Sequence, residues 1–179
     1  MKEKAEIMDD KAVARAITRI SYEIVEHNRG TEHLCILGIL SRGAELAARI
    51  AARIEQMEGK AVNVGLLDIT SFRDDRSVRT PDENDRSRID FSITGKRIIL
   101  VDDVLYTGRS VRAAIDAIMQ RGRPQNIQLA VLIDRGHREL PIRPDYVGKN
   151  LPTSGDETVK VQVVERDGID RVAIYTRLA

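Results

Sequence analysis

The chain has 179 residues, 42% hydrophobic and 32% charged, which suits one domain with a sizeable buried core. A net charge of +1 excludes binding to nucleic acid by overall charge, so any basic surface must be a local patch. Aromatic residues are 3% and Trp is absent, which leaves few side chains to stack on bases.

Residues 1–10 are charged and lack the apolar core of a signal peptide. Asp9 or Asp10 can cap a first helix, in which Val13, Ile17, Ile20 and Ile24 recur at spacings of three and four. Gly30 stands where a C-terminal cap belongs. Residues 34–40 form an apolar run of strand length, broken by Ser41-Arg42-Gly43. Its Cys35 is the chain's one cysteine and cannot form an internal disulfide, which fits a reducing, cytoplasmic compartment. Residues 44–57 form a second helix with Leu46, Ile50 and Ile54 on one face, closed by Gly59. Residues 62–69 read as a second strand. Residues 70–94 then lose apolar periodicity and are rich in Arg, Asp and Ser. Such long connections are usually active-site lids or charged surface loops. A third strand spans 97–104, a helix 110–121 and a fourth strand 127–133. Gly122 and Pro124 stop that helix. Residues 140–152 read as irregular, and 159–164 and 172–175 as two closing strands, a hairpin over Asp167-Gly168. No apolar stretch approaches membrane-spanning length.

Continuous apolar strands alternating with helices predict an α/β fold whose mostly parallel sheet is covered on both faces. Ligands of such sheets bind beyond the carboxyl ends of the strands. Ser41-Arg42-Gly43, Asp102-Asp103 and Asp134-Arg135 all fall at predicted strand ends, and the 70–94 segment hangs over the same edge. After Asp102-Asp103 come Val104, Leu105 and Tyr106, and then Thr107-Gly108-Arg109-Ser110 opens a helix. A helix start offers free N–H groups and a positive dipole end, which suit a phosphate, and Gly108 allows close approach. Carboxylates suit a diol or a hydrated metal instead. A ribose 5-phosphate carries both features. The plainer readings are a capped helix after a solvated loop, and for Arg42 a surface arginine.

The segment Val101-Asp102-Asp103-Val104-Leu105-Tyr106-Thr107-Gly108-Arg109-Ser110 resembles the 5-phosphoribosyl-1-pyrophosphate (PRPP) motif of the type I phosphoribosyltransferases. The run Asp134-Arg135-Gly136-His137-Arg138-Glu139-Leu140-Pro141-Ile142-Arg143-Pro144-Asp145-Tyr146-Val147-Gly148-Lys149-Asn150 is similar to the PyrR family within them, the bifunctional pyrimidine-operon regulators and uracil phosphoribosyltransferases of bacteria. The resemblance implies a central sheet flanked by helices, a small hood and a flexible loop at about 70–94. It implies conversion of uracil and PRPP to UMP and pyrophosphate. Asp102 and Asp103 would hold the ribose hydroxyls and, with PRPP, magnesium. Residues 104–110 would hold the 5-phosphate end, and Ser41, Arg42 and Gly43 the pyrophosphate. Arg73, Arg76 and Arg79 are candidates to reach over the leaving group from the loop. Arg135 and the backbone near Val159 would lie at the uracil pocket. Purine enzymes usually place an aromatic residue after the glycine of such a Tyr-Val-Gly run, and Lys149 here argues against a purine. Leader RNA of a pyrimidine operon is the implied second partner, with UMP strengthening its binding. Thr18, Arg19, Arg138, Arg143 and Lys149 match family positions implicated in RNA contact. Tyr22 stands where many members have His. A plain phosphoribosyltransferase without RNA regulation is the alternative, and family members assemble as homo-oligomers.

Overall fold

The computed structural model describes residues 1–74 and 85–176. In chain order the elements are β1 (Lys2–Met8), α1 (Asp10–Asn28), β2 (Leu34–Ile39), α2 (Arg42–Glu58), β3 (Asn63–Leu67) and a 3-10 turn at Thr70–Phe72. There follow β4 (Arg97–Leu105), α3 (Arg109–Arg121), β5 (Asn126–Asp134), β6 (Tyr146–Asn150), β7 (Glu157–Gln162), α4 (Val164–Asp167) and β8 (Arg171–Thr176). Five strands pair in parallel in the order β3-β2-β4-β5-β6, and β1-β8-β7 form a small antiparallel sheet beside them. Among the described residues no helix is long and apolar enough to cross a membrane.

The strands are apolar on both sides because both faces are covered. Ile36, Ile99 and Val101 face a core with α1, α2 and the small sheet. Their neighbours Cys35, Leu37, Ile98 and Leu100 face a second core with α3 and with Ile69 and Ile93. Phe72, Ile89 and Phe91 pack against that second core, so the described ends of the long polar segment are anchored. Arg88 also pairs with Leu66 at the outer edge of β3.

Asp9 caps α1 as expected, accepting the Ala12 N–H at 2.8 Å. The left-handed residue after α1 is Arg29 rather than Gly30, and the Gly30 N–H then closes on Val25 O at 2.9 Å. Two strands were missed. In β1 only Met8 is buried, so no apolar alternation marks it, and it holds by charge: Glu3 and Glu6 pair with Arg171, and Lys4 with Glu157. The strand β6 lies inside the stretch read as irregular. Only its Tyr146 is buried, and Gly148 is required because a Cβ there would come within 2.4 Å of Leu132 O. The closing hairpin is present, with the short α4 at its tip. Two boundaries bear on the site. Strand β4 continues to Leu105, one residue past its expected end, and Asp102 and Asp103 lie near its end rather than beyond it, as the range 97–104 expects. Helix α2 begins at Arg42, so the expected break is its first turn.

Candidate functional site

Strands β2, β4 and β5 end along one edge, and most expected residues gather there. Asp102 is 8% exposed and Asp103 half-buried. Among the described residues no side chain outside the pair donates a hydrogen bond to either carboxylate; each accepts the backbone N–H of the next residue, at 2.9 Å, and the two carboxyls hydrogen-bond to each other. Burial, and then the adjacent Asp103, push the Asp102 carboxyl well above the ordinary carboxylate range.

Beyond β4 the chain turns through Thr107 and Gly108 into α3. Gly108 sits at φ +96, a left-handed conformation that suits glycine, and Thr107 Oγ1 accepts the Arg109 N–H at 3.3 Å. The first turn of α3 opens on a cavity of about 210 Å³ bounded by Asp102, residues 104–111, Arg73 and Asp74. Arg73 is thus brought to the site, whereas Arg76 and Arg79 lie outside the described residues. Asp74 bonds Arg109 at 2.5 Å and Arg112 at 3.3 Å, which ties the start of the loop to α3.

The second motif buttresses the first. Arg138 donates to Tyr106 O and Ile142 O, both at 2.8 Å, and to Asp134 at 2.7 Å. The N–H groups of Glu139 and Leu140 close on Thr107 O. Arg138, expected from the sequence as an RNA contact, therefore braces the turn after β4. Arg135 is 6% exposed. Its guanidinium lies 4.0 Å over the Tyr106 ring and donates to Thr153 Oγ1, Ser154 O and Glu157 O. It thus reaches the start of β7, two residues before Val159, whose side chain belongs to the core. Beside it a hollow of about 340 Å³ is lined by Asp134, Arg135, His137, Asn150 and Thr153, among others.

The third part is the start of α2. Gly43 crosses β4 so closely that a Cβ would meet Val101 O at 2.6 Å, and one at Gly38 would meet Gly43 O at 2.4 Å. Gly38 went unremarked in the sequence, although glycine within a strand marks a close backbone approach. Ser41 precedes the helix and makes no side-chain cap. Arg42 bonds Asp167 through Nη2 at 2.8 Å and Nε at 3.2 Å. Asp68, at the end of β3, was also missed. It accepts Thr70 N and Oγ1 on one side of the loop and Arg86 on the other. Burial raises its carboxyl, but the bonds from Thr70 and Arg86 outweigh that and hold it at about 2. Its one local mark is a carboxylate between Leu67 and Ile69, near the end of the second predicted strand.

Of the expected RNA residues, Arg143 and Lys149 are exposed and make no side-chain bond among the described residues. Thr18 and Arg19 lie on α1, which packs along β6. Arg19 donates to Val147 O at 3.0 Å and Gly148 O at 2.5 Å, closing part of the β6 edge, and Tyr22 is 55% exposed.

The family model for the phosphoribosyl transferase domain matches residues 3–167. The chain is 61% identical over 176 residues to the bifunctional protein PyrR of Acetivibrio thermocellus, covering 97% of this chain and 95% of that protein. It is 56% identical over 180 residues to the bifunctional protein PyrR of Bacillus cereus strain AH820, covering 99% and 100%. Among solved structures, a hypoxanthine-guanine phosphoribosyltransferase of Bacillus anthracis superposes with TM-score 0.73 at 18% identity, covering 98% of this chain and all of that one. The hypoxanthine phosphoribosyltransferase of Trypanosoma cruzi bound to IMP gives 0.73 at 15% identity, covering 98% and 92%.

Proposed function

The chain belongs to the phosphoribosyltransferase family, and from that premise we propose that it is a pyrimidine-responsive RNA-binding regulator of a pyrimidine biosynthesis operon that also converts uracil and PRPP to UMP and pyrophosphate. Identity to bifunctional PyrR proteins along nearly the whole chain supports both activities. The purine enzymes share only the fold, at under 20% identity, and do not bear on the base. The observation that carries the transferase reading is the Asp102-Asp103 pair, without side-chain donors from outside the pair among the described residues, set beside the first turn of α3.

The two carboxyl groups hold the ribose 2- and 3-hydroxyls, and the negative charge of the pair favours the cationic character that C1 develops. Thr107, Gly108, Arg109 and Ser110 hold the 5-phosphate at the helix start. Ser41, Arg42 and Gly43 hold the pyrophosphate. As the bond from C1 to the pyrophosphate oxygen breaks and that oxygen keeps the electron pair, a bond forms from uracil N1 to C1, and the N1 proton passes to solvent water. Arg135, at the hollow beside β5, orients the base, with the backbone near Val159. The Asp102-Asp103 pair would hold a hydrated magnesium ion entering with PRPP, and such an ion would supply charge neutralisation for the leaving group. Arg73, from the loop, faces the same cavity.

The second partner is operon leader RNA. Arg143 before β6 and Lys149 within it are exposed, and α1, which carries Thr18 and Arg19, packs against that strand; these support this face. The cytoplasm, where such RNA is made, is the compartment, and the assembled form is a homo-oligomer. UMP formation from uracil, PRPP and magnesium tests the enzyme. Asp103→Asn is expected to lose about 100-fold or more in kcat with the fold intact. Near-normal turnover in that variant would remove the diol-binding role.

A further inference from the structure

One face of α2 carries Arg42, Glu45 and Arg49, at i, i+3 and i+7, and all three meet the tip of the small sheet. Arg42 pairs with Asp167, Glu45 with Arg166 at 2.8 Å, and Arg49 with both Glu165 and Asp170 at 2.6–2.9 Å. The first of these pairs joins the pyrophosphate end of the site to α4. Asp167 is itself fixed, because its Oδ2 also accepts the Val163 N–H at 2.8 Å. The Arg42 side chain is one-third exposed, and its Nη1 makes no hydrogen bond among the described residues. One edge of the guanidinium is therefore held and the other end is open.

We propose that Asp167 is a positioning residue of the transfer reaction, bracing the Arg42 guanidinium through two hydrogen bonds so that its free end is set for the pyrophosphate group of PRPP. This rests on the transferase reading above. A long arginine side chain left unheld loses rotamer freedom when it binds, and a bidentate partner removes that cost beforehand. A competing acceptor lies close by. Glu45 Oε2 is buried and has no hydrogen-bond partner, one helical turn from Arg42. Without Asp167 the guanidinium turns toward Glu45 and away from the ligand. The carboxylate brace acts on the leaving-group end alone, so a nucleotide lacking pyrophosphate is indifferent to it.

The test is calorimetric titration, in magnesium buffer, of PRPP, pyrophosphate and UMP into wild type, Asp167→Asn, Arg42→Gln and the double variant. Asp167→Asn is expected to weaken PRPP and pyrophosphate about fivefold to tenfold, with UMP changed by less than about twofold. In the Arg42→Gln background it should cause no further loss. Equal weakening of UMP would show a general support of the small sheet and overturn the proposal. So would unchanged PRPP affinity, or the same loss once Arg42 is gone. Should Asp167→Asn not fold, Asp167→Glu, which displaces the carboxylate by one methylene, is read for the same selective loss. A wild type that binds UMP but not PRPP would overturn the transferase reading instead.

Discussion

Asp102 is costly to the fold for the reason that makes it useful. It is buried, beside a second carboxylate, with no side chain from outside the pair, among the described residues, donating to it. The raised pKa means that the folded chain keeps a proton that the unfolded chain has released. Stability therefore falls as pH rises from the ordinary carboxylate range through the raised value. Asp102→Asn is expected to remove that slope and to raise Tm at neutral pH by about 2–4 °C, the response of a chain this size to roughly 1 kcal/mol. It should also cost most of the turnover. Thermal melts across pH, beside activity, check this, and a lower Tm would show that the pair is compensated in the free protein. At this scale the site was legible, since carboxylates on an apolar strand before a Thr-Gly turn have few structural uses. The partners of the arginines were not. The sequence marks Arg138 and Arg19 as cations, and only the fold reveals that both satisfy backbone carbonyls.

The elements divide by burial. Strands β2, β4 and β5 and helices α1 to α3 were readable because each buries an apolar face or run. The edge strands β1 and β6 bury one residue each and take their geometry from neighbours: Arg171 and Glu157 for the first, Arg19 and Leu132 for the second. The start of α2 is the sharpest case, because backbone proximity fixes it. Gly43→Ala is expected to push the first turn of α2 off β4 and cost about 1–3 kcal/mol in urea unfolding, with PRPP affinity lost in parallel. Gly155→Ala, where a Cβ meets nothing within 4 Å, is the control and should be neutral. Equal behaviour of the two variants would remove the packing argument.

Across the whole molecule, the transferase edge and the α1–β6 face share the segment after β5. Arg138 supports the PRPP turn, while Arg143 and Lys149 a few residues on are exposed. On the proposed reading, a nucleotide at the first site would act on a segment that also carries the candidate RNA residues. Titration against leader RNA at several salt concentrations is expected to show binding strengthened by UMP, with a negative slope of log affinity on log salt. Arg143→Ala and Lys149→Ala should each reduce that slope by about one. Arg19→Ala should lower stability as well, by freeing the Val147 and Gly148 carbonyls. Binding indifferent to UMP would leave an enzyme alone, and Tyr22→His is then the first substitution to make.

The sequence by itself determined the parallel α/β core, the gathering of polar residues at the strand ends along one edge and the Thr-Gly turn into a helix, because these rest on apolar periodicity and on residue types with local meaning. Only the tertiary structure decided the edge strands, the close crossing at Gly38 and Gly43, and the partners of Arg19, Arg42, Asp68 and Arg138. Those depend on which charges and backbones come together across long stretches of chain, and a charged side chain carries no local mark of the group that will satisfy it.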